Sequence, residues 1–187
     1  MLCPKDRETE LEQKPVGDGL MALHCPTCQG SWIESEDYLA WQETQDTALP
    51  DASVLNPVLD PEFEPSLEDV QAALCPVCQH YLSRSRIGFS QSFFLERCKN
   101  CGGFWCDRGE WDLLTRLGLN THLEHLFTPT WQDSVRHREQ QLTERRVLIE
   151  KVGEALANQV FDMAAQLEGH PNGDFAVAYL MRRFDGE

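Results

Sequence analysis

The chain predicts an α+β fold: two small β-hairpin modules, each followed by a short helix, ahead of a C-terminal α-helical region. Three observations predict it. Cysteines come in pairs with two residues between, most clearly Cys75-Pro76-Val77-Cys78 and Cys98-Lys99-Asn100-Cys101, and nineteen residues separate these two pairs. The pattern occurs twice, once over residues 3–28 and again over residues 75–101. Beyond Thr128, apolar residues recur at helical spacing.

A C-x2-C pair makes a tight knuckle, and two knuckles joined by a hairpin can present four ligands tetrahedrally to one Zn²⁺. Residues 1–42 carry such a set in altered form, with Asp6 where a fourth cysteine would complete Cys3, Cys25 and Cys28. A carboxylate ligates zinc at about 2.0–2.2 Å, so these four residues define a zinc site weaker than a four-thiolate one. The competing expectation is a metal-free ribbon held by packing of Leu20, Leu23, Trp32 and Tyr38. His24 adjoins Cys25 directly, which makes simultaneous ligation awkward, and it reads as solvent-facing. The amphipathic run Asp37-Tyr38-Leu39-Ala40-Trp41 closes the module as a helix.

Residues 43–65 form an acidic linker with four prolines and no regular period. Its apolar residues Val54, Leu55, Val58, Leu59 and Phe63 exceed what a spacer needs, so it packs on its own domains or docks on a partner. The second module spans residues 66–118. Ser66 reads as a helix cap with Asp69 three residues on, predicting a helix to about Leu74 that delivers the chain to Cys75.

In this module Cys75, Cys78, Cys98 and Cys101 form a four-thiolate zinc set. Such a site is closed: it holds a fold together and catalyses nothing by itself. Laid on the first copy, Gly103 matches Gly30 and Trp105 matches Trp32, while Cys106 falls on Ile33 and so reads as apolar packing. Gly102 and Gly103 suit positive φ at the knuckle. Trp105 supplies a large apolar face to a ribbon too small to bury much else. Asp107 and Glu110 stand at the start of the next helix, where negative charge is favourable.

Residues 75–114, from Cys-Pro-Val-Cys through Cys-Lys-Asn-Cys-Gly-Gly-Phe-Trp-Cys-Asp-Arg-Gly-Glu-Trp, resemble the TFIIB-type zinc-ribbon family. The resemblance implies zinc ligation by Cys75, Cys78, Cys98 and Cys101. It puts Gly102, Gly103, Trp105, Asp107, Gly109 and Glu110 on the family's framework positions. Residues 3–40 resemble the same family more weakly, with Gln29, Glu34, Glu36 and Asp6 as departures. Despite the family's name, the resemblance does not imply transcription.

Residues 119–187 form the helical tail. Thr128-Pro129 reads as a cap followed by proline at the first helical position. Val135, Leu142, Ile149, Leu156 and Met163 recur every seven residues, but Arg138, Arg145 and Gln159 interrupt the companion seam, which favours a helix packed on its own domain over a coiled coil. Gly169 and Pro171 stop it, and a final helix carrying Phe175, Val177, Leu180, Met181 and Phe184 packs back on it. His122 and His125 have no third ligand beside them and read as surface residues.

With 16 Lys+Arg against 31 Asp+Glu, the formal charge is −15, and two thiolate-bound zinc ions bring it to about −18. No Lys or Arg occurs between Lys14 and Arg84, so the field opposes direct nucleic-acid binding. The one basic cluster, Arg84, Arg86, Arg97 and Lys99, reads as a solvated hairpin face. There is no apolar run of membrane-spanning length and no signal core, and cysteines at metal spacing fit a reducing cytoplasm. These features predict a non-catalytic zinc adaptor or assembly protein with a protein partner. The alternative is a redox-sensing or metal-handling protein using the first site, Cys106 or an iron-loaded ribbon.

Overall fold

The computed structural model describes residues 1–17, 19–45, 48–49, 63–88 and 92–184. The linker residues Val54, Leu55, Val58 and Leu59 lie outside the described residues, whereas Phe63 is buried and meets Phe93 edge-on at 5.5 Å. The chain divides into two compact units, Met1–Glu139 and Gln140–Glu187.

In the first unit both hairpins form where the cysteine pairs place them. Strands β1 (Glu12–Gly17) and β2 (Leu20–His24) make the first, and a short β3 (Ser31–Ile33) follows. Strands β4 (Ser83–Ile87) and β5 (Phe93–Arg97) make the second, followed by β6 (Phe104–Cys106). The two ribbons are not separate bodies. β3 pairs antiparallel with β6, so the six strands of the described residues form one sheet in the order β1-β2-β3-β6-β5-β4. The register sets Trp32 opposite Trp105, the same two residues that coincide when the repeats are superposed in sequence. Equivalent residues facing each other across an antiparallel pair imply a local two-fold axis, and the palindromic strand order extends it to both ribbons.

Alternation along the strands assigns the two faces. Trp32 and Trp105 share one face with Cys3, Cys25, Cys75 and Cys98 in a single buried cluster. Ile33, Phe104 and Cys106, which alternate with the tryptophans, are buried on the other. Helix α1 (Ser35–Gln42) buries Tyr38 and Trp41, and α2 (Glu110–Arg116) buries Trp111, Leu113 and Leu114. Tyr38 meets Phe104 edge-on at 5.2 Å. Its hydroxyl donates to the Asn120 carbonyl and accepts from the Leu123 N–H, each at 2.9 Å, which ties down the turns after α2. Buried with both hydrogen bonds satisfied, it is a strong fastening point.

Helix α3 (Pro129–Val152) starts where the cap signal places it, with Thr128 Oγ1 accepting from the Trp131 N–H at 3.2 Å. Trp131 and Val135 are buried; the rest of the helix is more open to solvent. The seven-residue seam does not run on in one helix. Gly153, at φ +83°, ends α3, and α4 (Glu154–Glu168) restarts after it, cutting the seam between Ile149 and Leu156. Gly169 caps α4, and α5 (Gly173–Phe184) packs against α4 within the second unit.

The helix expected from Ser66 to Leu74 is one 3-10 turn, Leu67–Val70. Ser66 does cap it, accepting from the Glu68 N–H at 3.3 Å. Asp69 is drawn away instead: its Oδ1 accepts from the Phe94 N–H at 2.9 Å. Ala73 then bonds back to Leu82 at 3.0 Å, so the residues before Cys75 run extended beside the ribbon.

Candidate metal centres

The sulfur atoms of Cys75, Cys78, Cys98 and Cys101 lie within 4.8 Å of one another. Cys75–Cys101 and Cys78–Cys98 are each 3.4 Å apart, far beyond a disulfide bond. Four sulfurs bound at 2.3 Å to one tetrahedral ion lie about 3.8 Å apart, so this set fits Zn²⁺. Both knuckles close by the same bond, from the Gln79 N–H to the Cys75 carbonyl at 3.0 Å and from the Gly102 N–H to the Cys98 carbonyl at 2.9 Å. The residue after the second ligand takes positive φ each time, 60° at Gln79 and 80° at Gly102. The N–H groups of Val77 and Cys101 point at the sulfurs of Cys75 and Cys98, at 3.4 and 3.5 Å. Backbone hydrogen bonding at His80 pulls the Cys78 thiol down to about 6, while burial pushes Cys75 and Cys101 up. A bound ion reverses the upward shifts, because it stabilises thiolate.

The first set is tighter in number. Cys3, Cys25 and Cys28 lie within 4.8 Å of one another, with Cys3 and Cys28 3.6 Å apart. The Cys28 thiol draws Cys3 down to about 6 and is itself pushed up by the same contact. Asp6 stands at the edge of this three-thiol set. Its Oδ2 is 3.4 Å from Cys25 Sγ, and its Oδ1 accepts from the N–H groups of Glu8 and Thr9 at 2.9 Å each. Slight burial works upward on Asp6, but the Thr9 and Glu8 N–H groups outweigh it and hold the carboxyl at about 2. The knuckle around Asp6 is one residue longer than the others. The N–H groups of Cys25, Cys75 and Cys98 reach the carbonyls of Gly30, His80 and Gly103, five residues on, whereas Cys3 reaches Thr9, six residues on. Asp6 secures this wider turn. His24 bonds through Nδ1 to Ser31 Oγ at 3.2 Å, outside the set.

The repeated glycine and tryptophan have a shared role. A Cβ on Gly30 would stand 2.2 Å from Trp105 Cζ2, and one on Gly103 would stand 2.3 Å from Trp32 Cζ2. Each indole thus lies on the other ribbon's glycine. Gly102 has the positive φ expected of it, but Gly103 does not; the Trp32 ring, not backbone conformation, requires glycine there. Gly109 has φ +80° as the cap of α2.

Asp107 and Glu110 are more than helix-end charges. Glu110 Oε2 accepts from the Asp107 N–H at 2.8 Å, and Asp107 Oδ1 accepts from Trp105 Nε1 at 2.7 Å. Both are buried, and sequence reasoning missed the cation they face. Lys5, in the first ribbon's long knuckle, has a fully buried side chain whose Nζ lies 3.0 Å from Glu96 Oε2 and 3.4 Å from Asp107 Oδ2. It also donates to the carbonyls of Glu68 and Gln71 at 3.2 and 3.1 Å. Burial pushes Glu96 up to about 7 against the pull of Lys5, and burial with Asp107 nearby pushes Glu110 well above the usual carboxylate range. The only sequence trace of this site is the repeat itself, which sets Lys5 against Val77.

The arginines of the basic cluster meet carboxylates: Arg84 with Glu96 at 3.3 Å, Arg86 with Glu139 at 3.2 Å, and Arg97 with Glu124. Cys106 is buried opposite Ser31, and burial followed by the nearby Glu110 pushes its thiol well up, which suits packing and opposes thiolate chemistry.

No helix of the described residues is long and apolar enough to cross a membrane. No curated protein and no solved structure matches the chain. Residues 74–116, the second ribbon with its helix, match the TFIIB-type zinc ribbon, described as a transcription factor zinc-finger.

Proposed function

We propose that this chain is a non-catalytic zinc-binding adaptor or assembly protein that works through protein–protein contacts, with the transcription machinery as one candidate setting by analogy with the matched family. One observation carries the reading. Helix α5 leaves Phe175, Tyr179, Met181 and Phe184 more than half exposed, at 70%, 55%, 57% and 85%. Exposed aromatic surface of that kind marks an interaction site. The test is affinity capture after cross-linking, comparing wild type with Phe175→Glu. A stoichiometric protein partner should be recovered with wild type and lost with the variant. Recovery of none, or equal recovery with both, would defeat the proposal.

The first thiol set supports a second reading, metal handling, because three thiolates leave one position open to exchange. In our reading Asp6 Oδ2 fills that position and the chain holds two zinc ions. Metal analysis under reducing conditions should then give two equivalents, falling to one in Asp6→Ala, while Asp6→Cys should hold the metal more tightly. One equivalent in wild type, unchanged in Asp6→Ala, would refute the second ion. Two equivalents retained by Asp6→Ala would leave Asp6 out of the site and favour metal handling.

A further inference from the structure

The local two-fold axis makes each ribbon an internal control for the other. At the second ribbon, the knuckle residue Lys5 of the first reaches the pit beside Trp105 and Asp107, and its ammonium is buried against carboxylates. The equivalent place at the first ribbon is a cavity of about 280 Å³ whose lining includes Trp32, Glu34, Glu36, Asp37, the facing knuckle residue Val77 and Cys101 of the second thiol set. Superposed repeats set Val77 on Lys5, Trp32 on Trp105, Glu34 on Asp107 and Asp37 on Glu110. One half of the pseudo-symmetric molecule supplies its own lysine. The other half has valine, too short to fill the pit and without charge.

The acid groups differ accordingly. Asp107 is turned inward, accepting from Trp105 Nε1 while pairing with Lys5. Glu34 is exposed, and Trp32, which lines the cavity, is fully buried with no hydrogen-bond partner for its Nε1 among the described residues. A buried N–H without an acceptor is uncommon and costly. The second ribbon shows what satisfies it: a carboxylate drawn inward by a lysine. One counterpart is missing, since Leu23 stands where Glu96 would. Glu36, which has only Gly109 as its equivalent, adds a carboxylate in its place.

We infer that this cavity is a binding pocket for a lysine side chain of a basic segment on a partner protein. The inference rests on the adaptor reading and names the partner's chemistry. The incoming ammonium takes the place that Lys5 takes in the other half, and Glu34 turns in to bridge it to Trp32 Nε1. The net charge of −15 favours the approach of such a segment.

The test uses the zinc-loaded full chain, nitrogen-15 labelled, titrated with the blocked peptide acetyl-Ala-Lys-Ala-amide while the indole N–H signals are followed. One indole signal should shift saturably. The peptide carrying Nε-acetyl-lysine should leave it in place, and Glu34→Gln should weaken binding at least about tenfold, the range for one partner of a charge-assisted pair. Val77→Lys is the independent arm: it should reproduce the indole shift without peptide, at unchanged zinc content, and abolish peptide binding. An unmoved indole spectrum in wild type, or a zinc-loaded Val77→Lys chain that still binds peptide as wild type does, would overturn the pocket. If those outcomes came while Phe175→Glu still abolished partner capture, the adaptor reading would stand and only the pocket would fall.

Discussion

Gly30 and Gly103 are points where an indole of one ribbon lies directly on the backbone of the other. A methyl group on Gly103 meets both Trp32 Cζ2 at 2.3 Å and the Ile33 carbonyl at 2.9 Å, so the indole cannot relieve the clash alone. Gly103→Ala should therefore cost about 3 kcal/mol, the upper range for overpacking a tight core. Gly118→Ala is the matched control: at φ +68° with nothing within 4 Å, it should cost only about 1 kcal/mol of backbone strain. Urea unfolding checks the pair, and equal costs would mean that the glycine lacks the role assigned here. Glu110 gives the second residue-scale prediction. Burial, and then Asp107, raise its folded-state pKa, so its contribution to stability is full below the usual carboxylate range and is lost as pH rises towards the raised value. Glu110→Gln keeps the acceptor for the Asp107 N–H and cannot ionise. The variant's stability relative to wild type should therefore grow as pH rises from the usual carboxylate range towards the raised value, as followed by denaturant unfolding at each pH. A gap that stays constant across that rise would contradict the upward shift.

At the scale of elements, the short strands β3 and β6 hold the first unit together. Each has three residues, too few to be stable alone, and each is built onto a knuckle: Ser31 follows Cys28 by three residues and Phe104 follows Cys101 by three. Metal binding at the second set should therefore order β6, which pairs with β3. Cys98→Ser should release zinc and remove folding free energy on the order of 10 kcal/mol from the second ribbon. The loss should spread to the first ribbon, seen as exposure of Trp32 and Tyr38 by fluorescence or hydrogen exchange. Cys106→Ser, in the same strand, should keep the zinc. Retention of a full equivalent by the Cys98 variant would refute the ligand set. Helix ends follow local chemistry in the same way: Thr128 starts α3 by accepting from Trp131, and Gly153 ends it where an L-residue at φ +83° would be strained.

For the molecule as a whole, charge is arranged by pairing more than by sign. The arginines of the second hairpin are engaged by Glu96, Glu139 and Glu124, and Lys5 is buried among acids, which leaves the acidic excess to set the outer field. What the sequence alone determined was local. The thiolate sets, the hairpins between them, the cap at Thr128 and the stop at Gly169 were legible because ligand spacing and capping act over a few residues, and the repeat was legible by superposition. The seam is cut at Gly153 because a glycine at positive φ outweighs the period, and the Ser66 helix stops after one turn because Asp69 accepts from the Phe94 N–H instead. Tertiary structure alone decided that β3 pairs with β6, that Gly103 is glycine for the sake of Trp32, and that Lys5 belongs to the other ribbon's acids. Each of these contacts joins residues about seventy or more positions apart, and such pairs leave no spacing or periodicity in the chain from which to read them.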